Sequence, residues 1–556
     1  MRPLDWAVLG TSLIFILLYG LWRGRGSDTT SKYLLAGRTM PWYAMALSIM
    51  ATQASAITFI STTGQAYVDG MRFVQFYFGL PLGMVLLAVT AVPIFHRANV
   101  YTAYEYLEQR FDIKTRVLGT VLFLIGRGIS AGIALYAPAL VLTVVLGWSD
   151  KLTSLGMGIL VITYTVFGGI KAVTWTDFQQ MLIMMLGLVA ALVLAVWFLP
   201  ADISFVDALE IAGAAGRLNP VVWNFSLSDT YNVWSGFLGG LFIALAYFGT
   251  DQSQVQRYLT GKSIAQSRIS LLFNGVAKVP MQFLILFTGA MVFVFYTFVQ
   301  PPMLFERRDL EKARTAPGFA QVETRYNAAF DARHKAAREV AHEYSSAAVA
   351  RFKLAQQDFD AARVEAARLT GAARPTDANY IFLSFVTTWL PAGVVGLILA
   401  AIFAAAMSTI SAEVNSLATV TVIDVYQRCV RRGASDRHYL NASRLATLFW
   451  GGWAVLASQL GAGPAALIET VNRYGSLFYG GMLGLFTLAF FFRRVGGTAA
   501  FIAVLTGEAA IFATLAFTDI FFLWYNVIGA VVTVLTGLLL SRANLHADGR
   551  SAPASA

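Results

Sequence analysis

Two stretches of this sequence concentrate oxygen among small residues. The first is Ala51-Thr52-Gln53-Ala54-Ser55-Ala56-Ile57-Thr58, continuing to Ser61-Thr62-Thr63-Gly64. The second is Ala405-Ala406-Met407-Ser408-Thr409-Ile410-Ser411, which places several hydroxyls on adjacent turns of one helix. A run as rich in small and hydroxyl residues as the first invites a break in the helix, and carbonyls opened by a break suit a cavity or an ion. Hard alkali cations prefer such oxygen ligands. Serine and threonine also tie helices together by hydrogen bonds, so packing is the competing reading of both runs. Other chemistry lacks its residues. The five histidines (His96, His334, His342, His438 and His546) and the single Cys429 all lie outside the apolar runs. No zinc site, histidine relay or nucleophile–histidine pair can therefore form at depth, which argues against an enzyme.

The elements that must hold these residues follow from composition. The chain has 556 residues, of which 57% are hydrophobic and only 13% charged, with a mean hydropathy of +0.62. A soluble domain carries about 25% charge, so this is an all-α polytopic membrane protein. Apolar runs of the length that crosses a ~30 Å hydrocarbon core fall at 5–22, 42–66, 73–95, 117–146, 152–169, 175–199, 231–250, 269–299, 380–424, 439–460, 464–492, 498–518 and 520–541. About thirteen transmembrane helices are expected. The first, Trp6 to Trp22, reads as a retained span rather than a signal peptide, and 380–424 is long enough for its end to project into water.

The net charge of +10 is read as a topology signal and not as a nucleic-acid footprint, because no basic helix or aromatic platform accompanies it. With the N-terminus outside and the C-terminus inside, the cytoplasmic connections carry Arg23, Arg25, Lys32 and Arg38, then Arg97, Arg110, Lys114 and Arg116, and later Arg428, Arg431, Arg432, Arg493 and Arg494. The opposite side offers little beyond Arg72, Lys151 and Arg217, a positive-inside asymmetry; the short termini fit a bacterial inner membrane. Residues 303–376 break the pattern. Arg/Lys alternate there with Asp/Glu among alanines, and Phe319, Val322, Tyr326 and Phe330, then Val340, Tyr344, Phe352 and Phe359, recur at three- or four-residue steps. That predicts a long amphipathic helix or helical hairpin outside the membrane, either a solvated spacer or an arm that senses a partner. The expected divisions are 1–41 (first span and connection), 42–302 (spans two to eight), 303–376 (the insert), 377–494 (spans nine to eleven), 495–541 (two peripheral spans) and 542–556 (a cytoplasmic tail).

Ionisable residues inside spans are costly and are functional candidates by default. They are Arg127, Asp177, Lys278, Glu413, Glu469, Arg473 and Glu508, with Asp251 at a span end. Asp177 and Asp251 fall where an interface would hold them at little cost, whereas Arg127 and Lys278 lie deeper.

Several separated motifs, in order, resemble the sodium:solute symporter family of sodium-coupled sugar, proline, iodide and vitamin transporters. They are Ser31-Lys32-Tyr33-Leu34-Leu35-Ala36-Gly37-Arg38 with Pro41-Trp42; Gly168-Gly169-Ile170-Lys171-Ala172-Val173 with Trp175-Thr176-Asp177 and Gln180; Thr250-Asp251-Gln252 with Val255-Gln256-Arg257-Tyr258; and Met407-Ser408-Thr409 with Asn415-Ser416 and Asp424-Val425-Tyr426. The resemblance implies a LeuT-type core of two inverted five-helix repeats, spans two to six and seven to eleven, with broken helices at the midplane. It implies a sodium site on the carbonyls of Ala51, Ala54 and Ala405 and the hydroxyls of Ser408 and Thr409, and no other metal. Some members hold a second sodium, which here would use Asp177, Ser408 and Ser411, with Ala412 standing where those members have another hydroxyl. The solute positions implied are Gln53, Thr58, Gln75, Ser130, Tyr247 and Asn472.

Sugar-carrying members have a carboxylate among those solute positions, and this sequence does not. Arg473 beside Asn472, with Lys278 and Arg127 in the core, points instead to an anion such as a monocarboxylate, unless Arg473 pairs with Glu469 one turn earlier. The functional expectation is a sodium-coupled symporter importing a small organic solute by alternating access. A sugar, polyol or amino acid is the alternative solute, and a proton-coupled carrier or a transporter-like solute sensor the alternative function.

Overall fold

The computed structural model describes residues 1–146, 149–229, 231–375, 377–459 and 467–542. Among them the protein is helical, with one isolated β-bridge between Met40 and Gly261. Helix α1 spans Pro3–Arg23, followed by α2 (Trp42–Gln53), α3 (Ala56–Asp69), α4 (Leu80–Val89), α5 (Ala91–Ala98), α6 (Ile113–Leu146) and α7 (Asp150–Trp197). After a short α8 (Phe205–Ala214) come α9 (Gly240–Thr250), α10 (Gln252–Leu259) and α11 (Ile264–Phe298). The insert supplies α12 (Phe319–His342) and α13 (Ser346–Leu369), and the chain ends with α14 (Ala378–Trp389), α15 (Val394–Val420), α16 (Asp436–Ser458), α17 (Leu467–Phe491), α18 (Gly497–Phe517) and α19 (Leu523–Arg542). Nine helical stretches among the described residues are long and apolar enough to cross a membrane. Two of the nine run through a break that separates two predicted spans, one at Gly169 and one between Asp69 and Leu80. The start of the run predicted at 464–492 and the tail beyond Arg542 lie outside the described residues.

Three breaks shape the core. The first divides α2 from α3: Ala54 (φ −90°, ψ 68°) and Ser55 (φ −71°, ψ 169°) leave the helical region inside the hydroxyl-rich run. The second is Gly169, at φ 57° and ψ −159°, where the predicted spans 152–169 and 175–199 meet. A Cβ at Gly169 would collide with the Tyr33 carbonyl, so the turn needs glycine twice over. The third corrects the single long run at 380–424. Pro391 and Gly393 (φ 86°) end α14 and restart the chain as α15, because proline cannot continue a helix and the left-handed residue needs no side chain. The buried Asp5 carboxylate accepts the amides of Gly393 (2.7 Å) and Gly396 (3.3 Å), capping α15 from the first helix. The far end of that run does not project: Val422, Ile423 and Asp424 are buried, and exposed positions begin only after it, at Val425.

On the basic side, Glu108 joins the third connection to the end of the ninth-span segment. It accepts from Arg428 and, at 2.7 Å, from Arg116. Those two guanidiniums, Arg428 foremost, hold its carboxyl below the usual range.

The insert is a helical hairpin, as its periodicity predicts. Val322, Tyr326, Phe330 and Val340 of α12 face Phe352 and Phe359 of α13. Two arginines fix the hairpin to the rest of the molecule. Arg333, fully buried, donates to the Tyr296 carbonyl (2.5 Å) and lies 3.7 Å over the Phe359 ring. Arg363 pairs with Asp377 at 2.8 Å and reaches the Met303 carbonyl at 3.1 Å. Breaking a buried pair by removing one partner costs about 3–5 kcal/mol. Arg363→Ala is therefore expected to raise hydrogen exchange throughout residues 319–369. Unchanged protection would show that the pair does not hold the hairpin.

Candidate functional site

The break at Ala54–Ser55 frees backbone groups in the middle of the protein. The last carbonyls of α2 run past the end of its hydrogen-bond ladder, and Ala51 and Ala54 are fully buried. The hydroxyl-bearing turn of α15 faces them. Thr409 Oγ1 lies 3.1 Å from the Thr52 carbonyl and 3.2 Å from that of Ala405, donating to one or the other. Ser408 Oγ is buried and turned toward the Asp177 carboxylate, whose charge it helps to stabilise. One carbonyl of α2 and one hydroxyl of α15 thus meet across the break, while a second hydroxyl of α15, that of Ser408, lies beside the Asp177 carboxylate.

Asp177, read from sequence as interfacial, is fully buried. Its Oδ2 accepts from Ser48 Oγ (2.5 Å) and Arg257 (3.3 Å), and its Oδ1 has no partner. The hydroxyl of Ser411 donates to the Ser408 carbonyl at 3.0 Å. A guanidinium therefore already stands at the carboxylate expected to hold a second cation.

Beside the break is a cavity of ≈130 Å³. Of the six expected solute positions, Gln53, Ser130, Tyr247 and Asn472 line it, and Thr58 and Gln75 do not. Thr58 Oγ1 is buried in the wall behind and lacks a partner. Gln75 is a correction. Its amide donates to the carbonyls of Arg72 and Tyr231, both at 3.1 Å, and its oxygen accepts from the Val222 amide at 2.9 Å. Three of its four hydrogen-bonding sites are thus taken up within the 70–77 turn and between it and the loop before α9. Gln53 differs, because its Oε1 is buried at the cavity wall and unpartnered.

The residues that sequence reading did not connect are Arg127 of α6, Asp251 at the end of α9, Glu413 of α15 and Tyr479 of α17, all on the cavity wall. Arg127 donates to Glu413 at 2.7 Å, to the Tyr479 hydroxyl at 2.6 Å, and to Asp251. Ser130 donates to the same Glu413 oxygen at 2.9 Å, leaving Glu413 Oε2 buried and unpartnered. Asp251, expected at an interface, is only 3% exposed. The pairing rule for ions in membranes was the available signal: a deep arginine on one span calls for a carboxylate on another.

None of the three cations behind the expected anion preference stands free on the cavity wall. Arg127 is shared between two carboxylates, so the trio carries a net charge of about −1 when all three are ionised. Arg473 is exposed and does not line the cavity. The side chain of Glu469, and with it the expected Glu469–Arg473 pair, lies outside what the structure describes. Lys278 is fully buried, 5.5 Å from the Tyr77 ring centroid, with no hydrogen-bond partner on its Nζ. Tyr77, and not Lys278, forms the cavity wall.

The sodium:solute symporter family model matches residues 33–302 and 359–507, passing over most of the insert. The chain is 28% identical to the sodium/sialic acid symporter NanT of Aliivibrio fischeri, covering 98% of this chain and 95% of that one. It is 28% identical to the human sodium-coupled monocarboxylate transporter 1, covering 91% and 72%. Among solved structures, a substrate-bound outward-open sodium-coupled sialic acid symporter superposes with a TM-score of 0.77 at 24% identity, covering 98% of both chains.

The Arg127 cluster gives a stability prediction. Arg127→Met leaves two carboxylates buried together and should destabilise the protein by about 3–5 kcal/mol. Adding Asp251→Asn and Glu413→Gln should restore most of that, as measured by thermal unfolding. A triple variant no more stable than Arg127→Met alone would contradict the charge explanation.

Proposed function

The chain belongs to the sodium:solute symporter family, and from that premise we propose that it imports a polyhydroxylated solute of the sugar or sugar-acid type together with sodium. The family and the helical architecture make it an integral membrane protein and a sodium-coupled symporter of small organic solutes, not an enzyme. Its LeuT-like fold is that of the sialic acid symporter it superposes on.

In this proposal sodium is cargo, held by the carbonyls of Ala51, Ala54 and Ala405 and the hydroxyls of Ser408 and Thr409. The Thr409 hydroxyl, 3.1 Å from the Thr52 carbonyl across the break, supports that reading. Five neutral oxygens suit a monovalent cation, and an ion there would bridge the broken α2–α3 segment to α15. With the N-terminus outside, sodium would favour the outward-facing arrangement, and solute binding would then close the outer path. Each net positive charge carried inward gains about 2.3 kcal/mol per 100 mV, roughly 40-fold accumulation before the sodium gradient is counted. The Arg257 guanidinium at Asp177 argues for one sodium rather than two.

One observation carries the solute class. The oxygens Gln53 Oε1 and Glu413 Oε2 are acceptors buried on the cavity wall without donors. Around them stand the rings of Phe76, Tyr77, Tyr247, Phe478 and Tyr479. Waiting acceptors among aromatic faces fit a solute that offers hydroxyl donors on one side and C–H faces on the other. Glu413 thus supplies from the ninth span the carboxylate missing from the aligned solute positions. A monocarboxylate is the second reading. It is favoured by the N-terminus of α3, where Ser55 makes no side-chain cap and Ser55 and Ile57 border the cavity.

Uptake into proteoliposomes tests both parts. Sugars and sugar acids should compete for sodium-driven uptake, and short monocarboxylates should not; competition by monocarboxylates alone would reverse the assignment. Glu413→Gln should raise the KM at least about tenfold, the equivalent of one charge-assisted hydrogen bond. Ser408→Ala with Thr409→Ala should raise the sodium half-saturation by at least about tenfold. Unchanged sodium affinity in that variant would show that sodium binds elsewhere. Uptake that persists without sodium at acidic pH would favour protons, and binding without uptake would favour a sensor.

A further inference from the structure

A second cavity, of ≈450 Å³, opens between α4, α9, α17 and α19. Leu87, Phe242, Leu245, Phe486 and Val534 line it. Its three hydroxyls are turned away, each donating to the carbonyl four residues back on its own helix: Thr90 to Leu86 (2.6 Å), Thr250 to Ala246 (2.9 Å) and Thr487 to Leu483 (2.8 Å). Nothing polar in the groove is left to hold a polar ligand. The rim is exposed at Leu86, Val531, Leu535 and Phe491, all on helical stretches long and apolar enough to cross a membrane.

One end of the groove is strongly basic. Helix α17 runs out at Phe491, and the turn that follows carries Arg493 and Arg494, both exposed. Arg110 donates to the carbonyls of Phe492 (2.8 Å) and Val495 (3.4 Å), which brings its guanidinium within Coulombic range of Arg493. Among the described residues no carboxylate pairs with Arg110, Arg493 or Arg494, and the buried Nε of Arg110 has no acceptor. The groove residue Phe490 packs 5.5 Å from Tyr106, which feels the charge of both Arg110 and Arg493. Like charges held together without a counter-ion attract an anion. Here that charge lies one helical turn from an apolar slot open to lipid.

We propose that this groove binds an anionic phospholipid, one acyl chain filling the slot and the phosphate resting on Arg110, Arg493 and Arg494. The site borders the transport machinery. Thr250 lies on the wall of both cavities, and the next residue is Asp251, the partner of Arg127. A filled groove would support the end of α9 from behind, where the solute cavity meets its ion network.

The test is native mass spectrometry of the full chain after exchange into phosphatidylglycerol or phosphatidylcholine, with thermal unfolding in the same lipids. The wild type should retain phosphatidylglycerol preferentially and unfold at a higher temperature in it. The preference should fall about fivefold for each exposed arginine removed in Arg493→Gln and Arg494→Gln. Leu535→Trp, which fills the groove, should reduce retention of both lipids. A sodium-induced thermal shift retained in each variant shows that it is folded. Equal retention of the two lipids by the wild type would overturn the proposal, as would an unchanged preference in the double arginine variant. Undiminished retention in Leu535→Trp would place the lipid elsewhere.

Discussion

A helix broken in the middle of a membrane must find partners for the backbone groups it frees, because hydrocarbon offers none. That constraint, at Ala54 and Ser55, organises this protein. It places carbonyls of α2 opposite the hydroxyls of α15, and it turns the start of α3 toward a cavity. Thr409 already satisfies part of the need by donating across the gap. In the proposed site the remaining oxygens would be met by sodium, which brings positive charge without a rigid shape. Coupling follows if the ion is what joins the broken segment to α15, since its arrival and departure would then decide how the two pack.

The ion network around Arg127 imposes a second constraint on the same space. It draws together α6, α9, α15 and α17 at the edge of the cavity. A charge cluster in a low-dielectric wall holds its geometry only while every member is satisfied. Two of its groups are incomplete, Arg127 Nε and the second oxygen of Glu413, and both residues line the cavity. A solute that donated to Glu413, as proposed, would engage α6, α9, α15 and α17 together.

What could be read from the sequence divides along the range of the interactions concerned. The break in the second span was legible because the signal is local: small and hydroxyl residues over a dozen positions. The insert hairpin was legible from its three- and four-residue spacing and from Pro317-Gly318 at its start. Pro391 and Gly393 also carried a local signal for the α14–α15 break, but continuous hydrophobicity hid it. The Arg127 network could not be read the same way, because its members lie 286 and 124 residues apart and only the tertiary fold pairs them. Gln75 went the other way: its residue type and position suggested a ligand contact, and three backbone partners claimed it. The anion preference rested on residue type in the same way, and a positive side chain says nothing of the carboxylates that fold against it.

Energetic coupling between the two cargoes can be measured without transport. Sodium would be titrated into the purified protein against choline at constant ionic strength, following thermal unfolding. The titration would be made without and with a saturating concentration of the sugar that competes best for uptake. Ligands that bind the native state raise its stability by mass action, and linkage requires the two affinities to change by the same factor. The expected result is a sodium-specific shift whose half-saturation moves to lower sodium when the sugar is present. A sodium affinity that is the same with and without the sugar would contradict coupling through the broken helix.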